Sequence, residues 1–120
     1  MILGFKPRFV APILAGTKIH TIRDDPHNRW KAGRGIQIAS GVRTKNYVQF
    51  YYGVCKSTQK IEIKYVDKFW VKILIDGKDL PTSRYELLAH NDGFNSIQDF
   101  YKWFDKDFTG KIIHWMDFKY

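Results

Sequence analysis

The chain has 120 residues, of which 20 are Lys or Arg and 12 are Asp or Glu, and its formal net charge is +8. The length fits one domain, residues 1–120, and a content of 44% hydrophobic and 17% aromatic residues argues against intrinsic disorder. The single cysteine, Cys55, excludes an intrachain disulfide, and the apolar runs are too short for a transmembrane helix. We therefore expect a soluble, cytoplasmic protein with no membrane partner.

The positive charge is concentrated in the first half of the chain. Residues 1–60 carry eleven bases and two acids, whereas residues 61–120 carry nine bases and ten acids. A basic half beside a nearly neutral half suggests a surface that faces a polyanion. A generally basic protein kept soluble by lysines explains the same composition, so charge alone does not identify the partner.

The first half of the chain predicts strands and one short helix. Phe9 and Ile13 have helical spacing, and Gly16 is a typical helix stop. Asp24-Asp25-Pro26 breaks the strand before it, because proline donates no ladder bond. The predicted elements are a strand over residues 2–5, a helix over residues 8–15, and strands over residues 19–23, 36–43 and 47–55.

The second half predicts two strands, two helices and a final strand. Alternation of apolar and charged residues over residues 59–66 is typical of a half-buried strand. Another strand over residues 69–75 ends at the tight-turn pair Asp76-Gly77. The predicted elements that follow are a helix with a capping box at residues 83–86, its end at residues 91–93, a helix spaced by Ile97, Phe100, Tyr101 and Phe104, a loop at Gly110 and a strand over residues 112–118. About six strands with short helices predict an α+β domain with a curved sheet or partly closed barrel.

Several common catalytic and cofactor motifs are missing from the sequence. There is no P-loop, no complete dinucleotide-binding glycine pattern and no nucleophile elbow. The four histidines show no paired metal-ligand spacing, and Cys55 stands alone. We therefore predict neither a metal nor a cofactor.

Three residues at one turn-to-strand junction are the strongest candidates for chemistry: Lys18, Thr21 and Arg23. A partly desolvated lysine can act as a base, a neighbouring threonine hydroxyl can become a nucleophile, and an arginine can bind a carbonyl, phosphate or carboxylate. In a regular strand Lys18 and Thr21 point to opposite faces, so they converge only if Lys18 lies in the loop after Gly16. The alternative is that Thr21 is an ordinary strand residue and Lys18 a solvated turn residue.

The segment of residues 14–24 resembles the ASCH family, whose signature is Gly-x-Lys-x-x-Glu-x-Arg. Gly16, Lys18 and Arg23 match that signature, and Thr21 stands at the position of the Glu. This threonine variant is the form seen in the small bacterial ASCH amidohydrolases that act on N4-acetylcytidine. The resemblance implies a PUA-like mixed β-barrel with flanking short helices.

The resemblance also implies a catalytic set of a lysine, a threonine and an acid. Lys18 and Thr21 match the first two directly, and the acid falls in a later similar segment, residues 88–94, where Asp92 is the candidate. The implied reaction has Lys18 accept the Thr21 proton while Thr21 attacks the acetyl carbonyl on the exocyclic nitrogen of cytosine. Asp92 then holds Lys18 or helps to protonate the leaving nitrogen, and Arg23 stabilises the oxyanion. Asp92 also has a purely structural interpretation, because Asn-Asp-Gly commonly ends a helix.

RNA is the competing partner, since PUA-like domains often bind it. Aromatic rings stack on unpaired bases while lysines and arginines neutralise phosphates, although a tryptophan is more often buried. The predicted set for binding substrate or nucleic acid is Arg23, His20, Trp30, Arg29, Lys31, Arg34 and Arg43. Two alternatives to the amidohydrolase stay open: a non-catalytic RNA-binding module, and a metal-independent ribonuclease that uses His20 or His114 with Lys18.

Overall fold

The computed structural model describes residues 1–68 and 70–120. Short 3₁₀ turns, Pro7–Phe9 and Thr82–Arg84, precede the first and second helices. The strands and helices in chain order are β1 (Ile2–Phe5), α1 (Val10–Ala15), β2 (His20–Arg23), β3 (Gly35–Ser40), β4 (Val48–Val54), β5 (Ser57–Asp67), β6 (Trp70–Ile75), β7 (Lys78–Asp79), α2 (Tyr85–Asn91), α3 (Ile97–Trp103) and β8 (Phe108–His114).

The strands pair in two sheets. One sheet has the order β1-β3-β4, with β1 parallel to β3, and the other has the order β2-β8-β5-β6-β7 and is antiparallel throughout. Eight strands and three short helices among the described residues confirm an α+β protein, with more strands than the six expected. Within the described ranges this pairing does not close into a single barrel, so the PUA-like barrel stays a prediction.

Two predicted turns are confirmed by left-handed backbone. Helix α1 ends at Gly16, whose φ is +81°, as the glycine stop predicts. Asp76 and Gly77 have φ values of +53° and +79° and join β6 to β7. The strand predicted from residue 69 begins at Trp70, and Phe69 lies outside the described residues.

The predicted capping box at residues 83–86 is wrong. Ser83 lies in a 3₁₀ turn, and α2 begins without a side-chain cap. The carboxylate of Glu86 instead accepts a hydrogen bond from the backbone N–H of Ile97 at 3.1 Å, which ties α2 to the start of α3. The side-chain cap of α3 is Ser96, whose Oγ accepts from the Asp99 N–H at 3.2 Å.

The prediction for the last strand is also wrong in its bounds. Strand β8 begins at Phe108 and ends at His114, and Gly110 lies inside it opposite Ile61. A Cβ at position 110 would lie 2.5 Å from the backbone oxygen of Arg23. This glycine is therefore required by close packing inside a sheet, whereas the sequence suggested a loop.

The hydrophobic core includes residues from both sheets and from the helices. Ile36 and Ile38 of β3, Ile61 of β5 and Phe100 of α3 are fully buried within it. No helix in the described part of the chain is long and apolar enough to span a membrane.

Candidate functional site

A cavity of about 280 Å³ lies where β1, β2 and the segments that follow α1, α2 and α3 meet. Four predicted site residues line it among several aromatic rings. The lining residues are Gly4, Phe5, Lys6, Phe9, Lys18, Thr21, Ile22, Arg23, Asp92, Phe94, Trp103 and Phe104. The structure thus brings Lys18, Thr21, Arg23 and Asp92 to one cavity, as the sequence predicts.

Lys18 reaches the cavity from the loop between α1 and β2. Its backbone N–H donates to the Pro12 oxygen at 3.1 Å, which folds the loop back on α1, and β2 begins only at His20. The next N–H, of Ile19, donates to the Asn91 oxygen at 2.9 Å and so joins this loop to the end of α2. Because Lys18 lies in the loop and not in β2, its side chain is not forced to the face of the strand opposite to Thr21. Both residues can therefore line the same cavity.

The ammonium group of Lys18 is buried and fully hydrogen-bonded. Its Nζ donates to the backbone oxygen of Asp92 at 2.6 Å, to the backbone oxygen of His20 at 2.9 Å and to Asp92 Oδ1 at 3.2 Å. Nζ also lies 4.8 Å from the centre of the Phe9 ring. Burial lowers the pKa of Lys18 from its ordinary value of 10.5, although the carboxylate of Asp92 opposes that shift. The amine therefore releases its proton more readily than a solvated lysine does.

Asp92 is held in place by the end of α2. Its N–H donates to the Leu88 oxygen at 3.1 Å, and its side chain is buried against Lys18. Oδ1 accepts from Lys18, while no described residue donates a hydrogen bond to Oδ2. The chain then turns at Gly93, whose φ is +91°. This geometry confirms the helix end predicted at residues 91–93 and leaves one carboxylate oxygen available to a ligand.

Thr21 and Arg23 lie on the same side of β2, as their spacing predicts. Arg23 Nε donates to Thr21 Oγ1 at 3.2 Å, and Arg23 Nη2 donates to the Gly4 oxygen of β1 at 2.6 Å. The guanidinium also lies over the Phe5 ring, 4.9 Å from its centre, and burial lowers the pKa of Arg23. Among the described contacts the Thr21 hydroxyl bonds to Arg23 rather than to Lys18, so a cation faces the oxygen that would become the nucleophile.

His20 is a predicted binding residue that does not line the cavity. Its ring is fully buried behind Asp92, with Nδ1 3.2 Å from Asp92 Oδ1 and Nε2 2.6 Å from the hydroxyl of Tyr120. Burial lowers the pKa of His20. His20 can therefore influence a ligand in the cavity only through Asp92. The sequence gives no signal for Tyr120, because its contact with His20 spans 100 residues.

Except for Arg23, the basic residues predicted to bind RNA lie outside this cavity. Arg29, Lys31, Arg34 and Arg43 are exposed, whereas Trp30 is buried in the hydrophobic core at 7% exposure. Burial of Trp30 favours the packing interpretation over stacking on a base. Arg29 and Trp30 line a neighbouring cavity of about 340 Å³, and Arg23 lies in the walls of both cavities.

His114, the other histidine considered for a ribonuclease, is fully buried in β8 opposite His20. Its Nε2 lies 2.9 Å from Gln59 Oε1, and burial lowers its pKa to about 3. Neither histidine lines the cavity, so neither ring is placed to exchange a proton with RNA there. Over residues 1–68 and 70–120, no group of three His, Cys, Asp or Glu side chains is arranged to hold a metal ion.

Comparison of the chain with family models, with curated proteins and with solved structures finds no match. The site itself combines a buried amine paired with a carboxylate, a hydroxyl and a guanidinium. In such a set the amine can move a proton, the hydroxyl can attack an electrophilic carbon, and the guanidinium can stabilise the negative charge that develops.

Proposed function

We propose that this protein belongs to the ASCH family, with a PUA-like fold, and that it hydrolyses the acetyl amide of N4-acetylcytidine. One observation carries the proposal: the buried Lys18 amine contacts the Asp92 carboxylate at 3.2 Å in the wall of a cavity that Thr21 and Arg23 also line. Asp92 lies 74 residues from Lys18 in sequence, and the family resemblance points to all four residues. A purely structural role would not require this polar set to open onto a cavity.

The proposed reaction forms and then hydrolyses an acetyl ester on Thr21. Lys18 Nζ takes the hydroxyl proton as Oγ1 attacks the acetyl carbon, and Arg23 stabilises the oxyanion. The carbon–N4 bond then breaks, and Lys18 returns the proton to N4 so that cytidine leaves. Water hydrolyses the ester, which releases acetate and restores Thr21. Asp92 keeps Lys18 in place, and its free Oδ2 accepts the N4–H of the substrate.

The position of Lys18 is compatible with this role as a base. A protonated lysine has three N–H donors, which match the three acceptors around Nζ. The neutral amine has only two, so deprotonation frees one acceptor and gives Nζ a lone pair that can turn toward Thr21. Desolvation favours that neutral form.

Asp92 is one methylene shorter than the family's Glu, and this difference does not prevent contact with Lys18. The Asp92 backbone oxygen lies 2.6 Å from Nζ, and Oδ1 lies 3.2 Å from it. Because Lys18 binds both the backbone and the side chain of the same residue, the close approach of the backbone compensates for the shorter side chain.

The size and lining of the cavity support a single base as the ligand. Its volume of about 280 Å³ is close to the lower end of small-molecule pockets, which is about 300 Å³. Rings of Phe5, Phe9, Phe94 and Trp103 line it, and aromatic rings stack well on planar bases. A free nucleoside therefore fits the site better than a folded RNA.

The direct test is to incubate the purified protein with N4-acetylcytidine and to measure cytidine and acetate. We expect turnover in wild type and a loss of about 10²- to 10⁴-fold in Lys18→Ala, since general base catalysis contributes about that much. Thr21→Val should lose the ester intermediate that mass spectrometry would detect. Lys78→Ala and Thr109→Val, on exposed positions away from the cavity, are the matched controls. Absence of wild-type turnover, or full activity in Lys18→Ala, would refute the proposal.

A separate observation favours single-stranded RNA as a second candidate ligand. Residues 26–61 contain seven lysines or arginines and no acid, and they include the whole β3–β4 hairpin. Tyr47, Tyr51 and Tyr52, in or next to β4, are exposed by 41%, 39% and 59%. Exposed rings among cations are the usual platform for unpaired bases. These tyrosines replace the buried Trp30 as the rings that would stack.

The RNA candidate is tested by measuring the affinity for a single-stranded oligonucleotide at several salt concentrations. We expect affinity to fall steeply with salt and to weaken in Tyr52→Ala and Arg34→Ala. Lys78→Ala again serves as the control, because that lysine lies outside the basic stretch. Binding that salt leaves unchanged, or none at low salt, would argue against this candidate.

A further inference from the structure

A continuous set of buried and partly buried hydrogen bonds runs from Lys18 to Asn91. Lys18 Nζ and His20 Nδ1 each lie 3.2 Å from Asp92 Oδ1, His20 Nε2 lies 2.6 Å from the Tyr120 hydroxyl, and Asn91 Nδ2 donates to that hydroxyl at 3.1 Å. Lys18, His20, Asp92 and Asn91 are all buried. The reaction proposed above uses Lys18 and Asp92 and gives no role to His20, Tyr120 or Asn91.

The direction of each hydrogen bond follows from the chemistry of the groups. Asp92 as a carboxylate only accepts, so His20 Nδ1 must carry the proton and donate. Burial lowers the pKa of His20 and keeps the ring neutral, so Nε2 has a lone pair and accepts from the Tyr120 hydroxyl. The Tyr120 oxygen in turn accepts from Asn91. Every donor thus meets an acceptor, and Asp92 Oδ1 receives two donors.

Tyr120 is itself anchored by a buried side chain. Its N–H donates to Gln59 Oε1 at 2.9 Å, and its carbonyl oxygen accepts from Gln59 Nε2 at 3.1 Å. The same Gln59 Oε1 lies 2.9 Å from His114 Nε2. The hydroxyl of Tyr120 is therefore delivered to His20 from a fixed position on the far side of the ring from Asp92.

We propose that His20 and Tyr120 are positioning residues that hold the Asp92 carboxylate with Oδ1 on Lys18 and Oδ2 toward the cavity. This inference rests on the proposed amidohydrolase function. His20 also fixes Lys18 directly, because its backbone oxygen accepts from Nζ at 2.9 Å. Neither ring touches the cavity, so both act on the substrate only through Asp92.

The hydrogen-bond directions are tested without substrate by long-range ¹H–¹⁵N spectra of ¹⁵N-histidine-labelled protein at pH 7. We expect His20 to be neutral with its proton on Nδ1. In Tyr120→Phe, the Nε2 resonance should shift because its donor is gone, and Tyr101→Phe, a half-buried tyrosine outside the cavity, should leave it in place. A proton on Nε2, or an Nε2 signal that Tyr120→Phe does not move, would overturn the inference.

The catalytic consequence is tested by the kinetics of the same variants. His20→Leu should lower kcat/KM by about tenfold, the effect of a lost hydrogen bond to a charged group, and Tyr120→Phe should lower it by less, because its hydroxyl bonds to the neutral His20 ring. His20→Asn keeps a donor for Asp92 and should recover most of kcat/KM, and Tyr120→Phe should then add no further loss. Circular dichroism verifies that each variant is folded.

The outcomes separate this inference from the proposed function. Unchanged kcat/KM in His20→Leu, or additive losses in the His20→Asn and Tyr120→Phe double variant, would refute positioning through Asp92. If wild type shows no turnover, the proposed function fails, and the histidine spectra still decide whether His20 and Tyr120 orient the carboxylate.

Discussion

Gly93 lies against the aliphatic part of the Lys18 side chain. A Cβ at position 93 would lie 2.8 Å from Lys18 Cδ and 3.0 Å from Phe9 Cδ1, and the φ of Gly93 is +91°. Position 93 is therefore restricted twice, by its left-handed backbone and by the side chain beside it. The glycine that ends the α2 segment also makes room for the candidate base.

We expect Gly93→Ala to displace Lys18 and to destabilise the fold by about 2–3 kcal/mol, since left-handed strain and overpacking each cost about 1 kcal/mol or more. Gly77→Ala is the matched control, because Gly77 has a φ of +79° and nothing within 4 Å of the added carbon. Urea denaturation of both variants isolates the contribution of packing against Lys18 and Phe9. Equal losses in the two variants would show that these two side chains move away from the added carbon at no cost in stability.

Local patterns in the sequence were sufficient to predict much of the site. Gly16 ends α1, which leaves Lys18 in a loop, and the even spacing of Thr21 and Arg23 puts them on one side of β2. The Asn-Asp-Gly helix end places Asp92 next to Lys18 only because a hydrogen bond between the backbones of Ile19 and Asn91 joins the two segments. That contact depends on the tertiary fold, so residue spacing does not predict that Asp92 lies beside Lys18. Only the family resemblance pointed to Asp92 as a partner of Lys18.

The residues that sequence reasoning missed act over long separations or through close packing. Tyr120 contacts His20 across 100 residues, and no periodic pattern reports such a contact. Glycine usually interrupts strands, so the sequence predicts a loop at Gly110, whereas this glycine lies inside β8 and admits the Arg23 backbone. Trp30 lies in a basic stretch of the sequence but is buried in the core. Composition does not show which way a side chain points, so it does not predict this burial.

The packing of Gly110 gives a second prediction about stability. A Cβ there would lie 2.5 Å from the Arg23 oxygen and 2.7 Å from the Phe108 ring, and the backbone oxygen cannot move without disturbing β2. We expect Gly110→Ala to lower the free energy of unfolding by about 1–3 kcal/mol. Gly53→Ala, also within a strand, meets no atom closer than 3.5 Å and should be neutral or slightly stabilising. Thermal unfolding compares the two, and the opposite order would contradict the packing argument.

The contribution of the Asp25 carboxylate to folding stability should depend on pH in the acid range. Burial opposes its ionisation, but hydrogen bonds from the N–H groups of Trp30 and Arg29 and from Lys111 hold the pKa of Asp25 below its ordinary value of 3.8. A carboxyl whose pKa is depressed in the folded state stabilises the fold above its unfolded pKa, and this contribution is lost as the pH falls through the folded value.

We therefore expect Asp25→Asn to be less stable than wild type at pH 7 by about 1–3 kcal/mol, because the N–H groups lose a charged acceptor. The difference should shrink below pH 4. Asp24→Asn, an exposed neighbour, should remain close to wild type. Urea denaturation at pH 7, 5 and 3 provides the measurement, and a difference that stays constant down to pH 3 would contradict the role of the Asp25 charge.

The buried His114 should cause a loss of stability that begins at a higher pH than the loss due to Asp25. Its ring is fully buried, its Nδ1 has no hydrogen-bond partner among the described residues, and burial lowers its pKa from 6.5 to about 3. Between these two values the unfolded chain binds a proton that the folded chain does not. Stability therefore falls as the pH drops below 6.5, by up to about 1.4 kcal/mol per pH unit for each such histidine, and the buried His20 adds to the effect in the same direction.

We expect His114→Gln to reduce the slope of unfolding free energy against pH between pH 6 and 4 by about the contribution of one histidine. This holds whatever the stability of the variant at pH 7. His90→Gln, at an exposed histidine, is the matched control. Urea denaturation at half-unit steps of pH measures both slopes. Identical slopes in wild type and His114→Gln would mean that His114 is protonated in the folded protein, which its buried ring and the lack of an acceptor for Nδ1 among the described residues argue against.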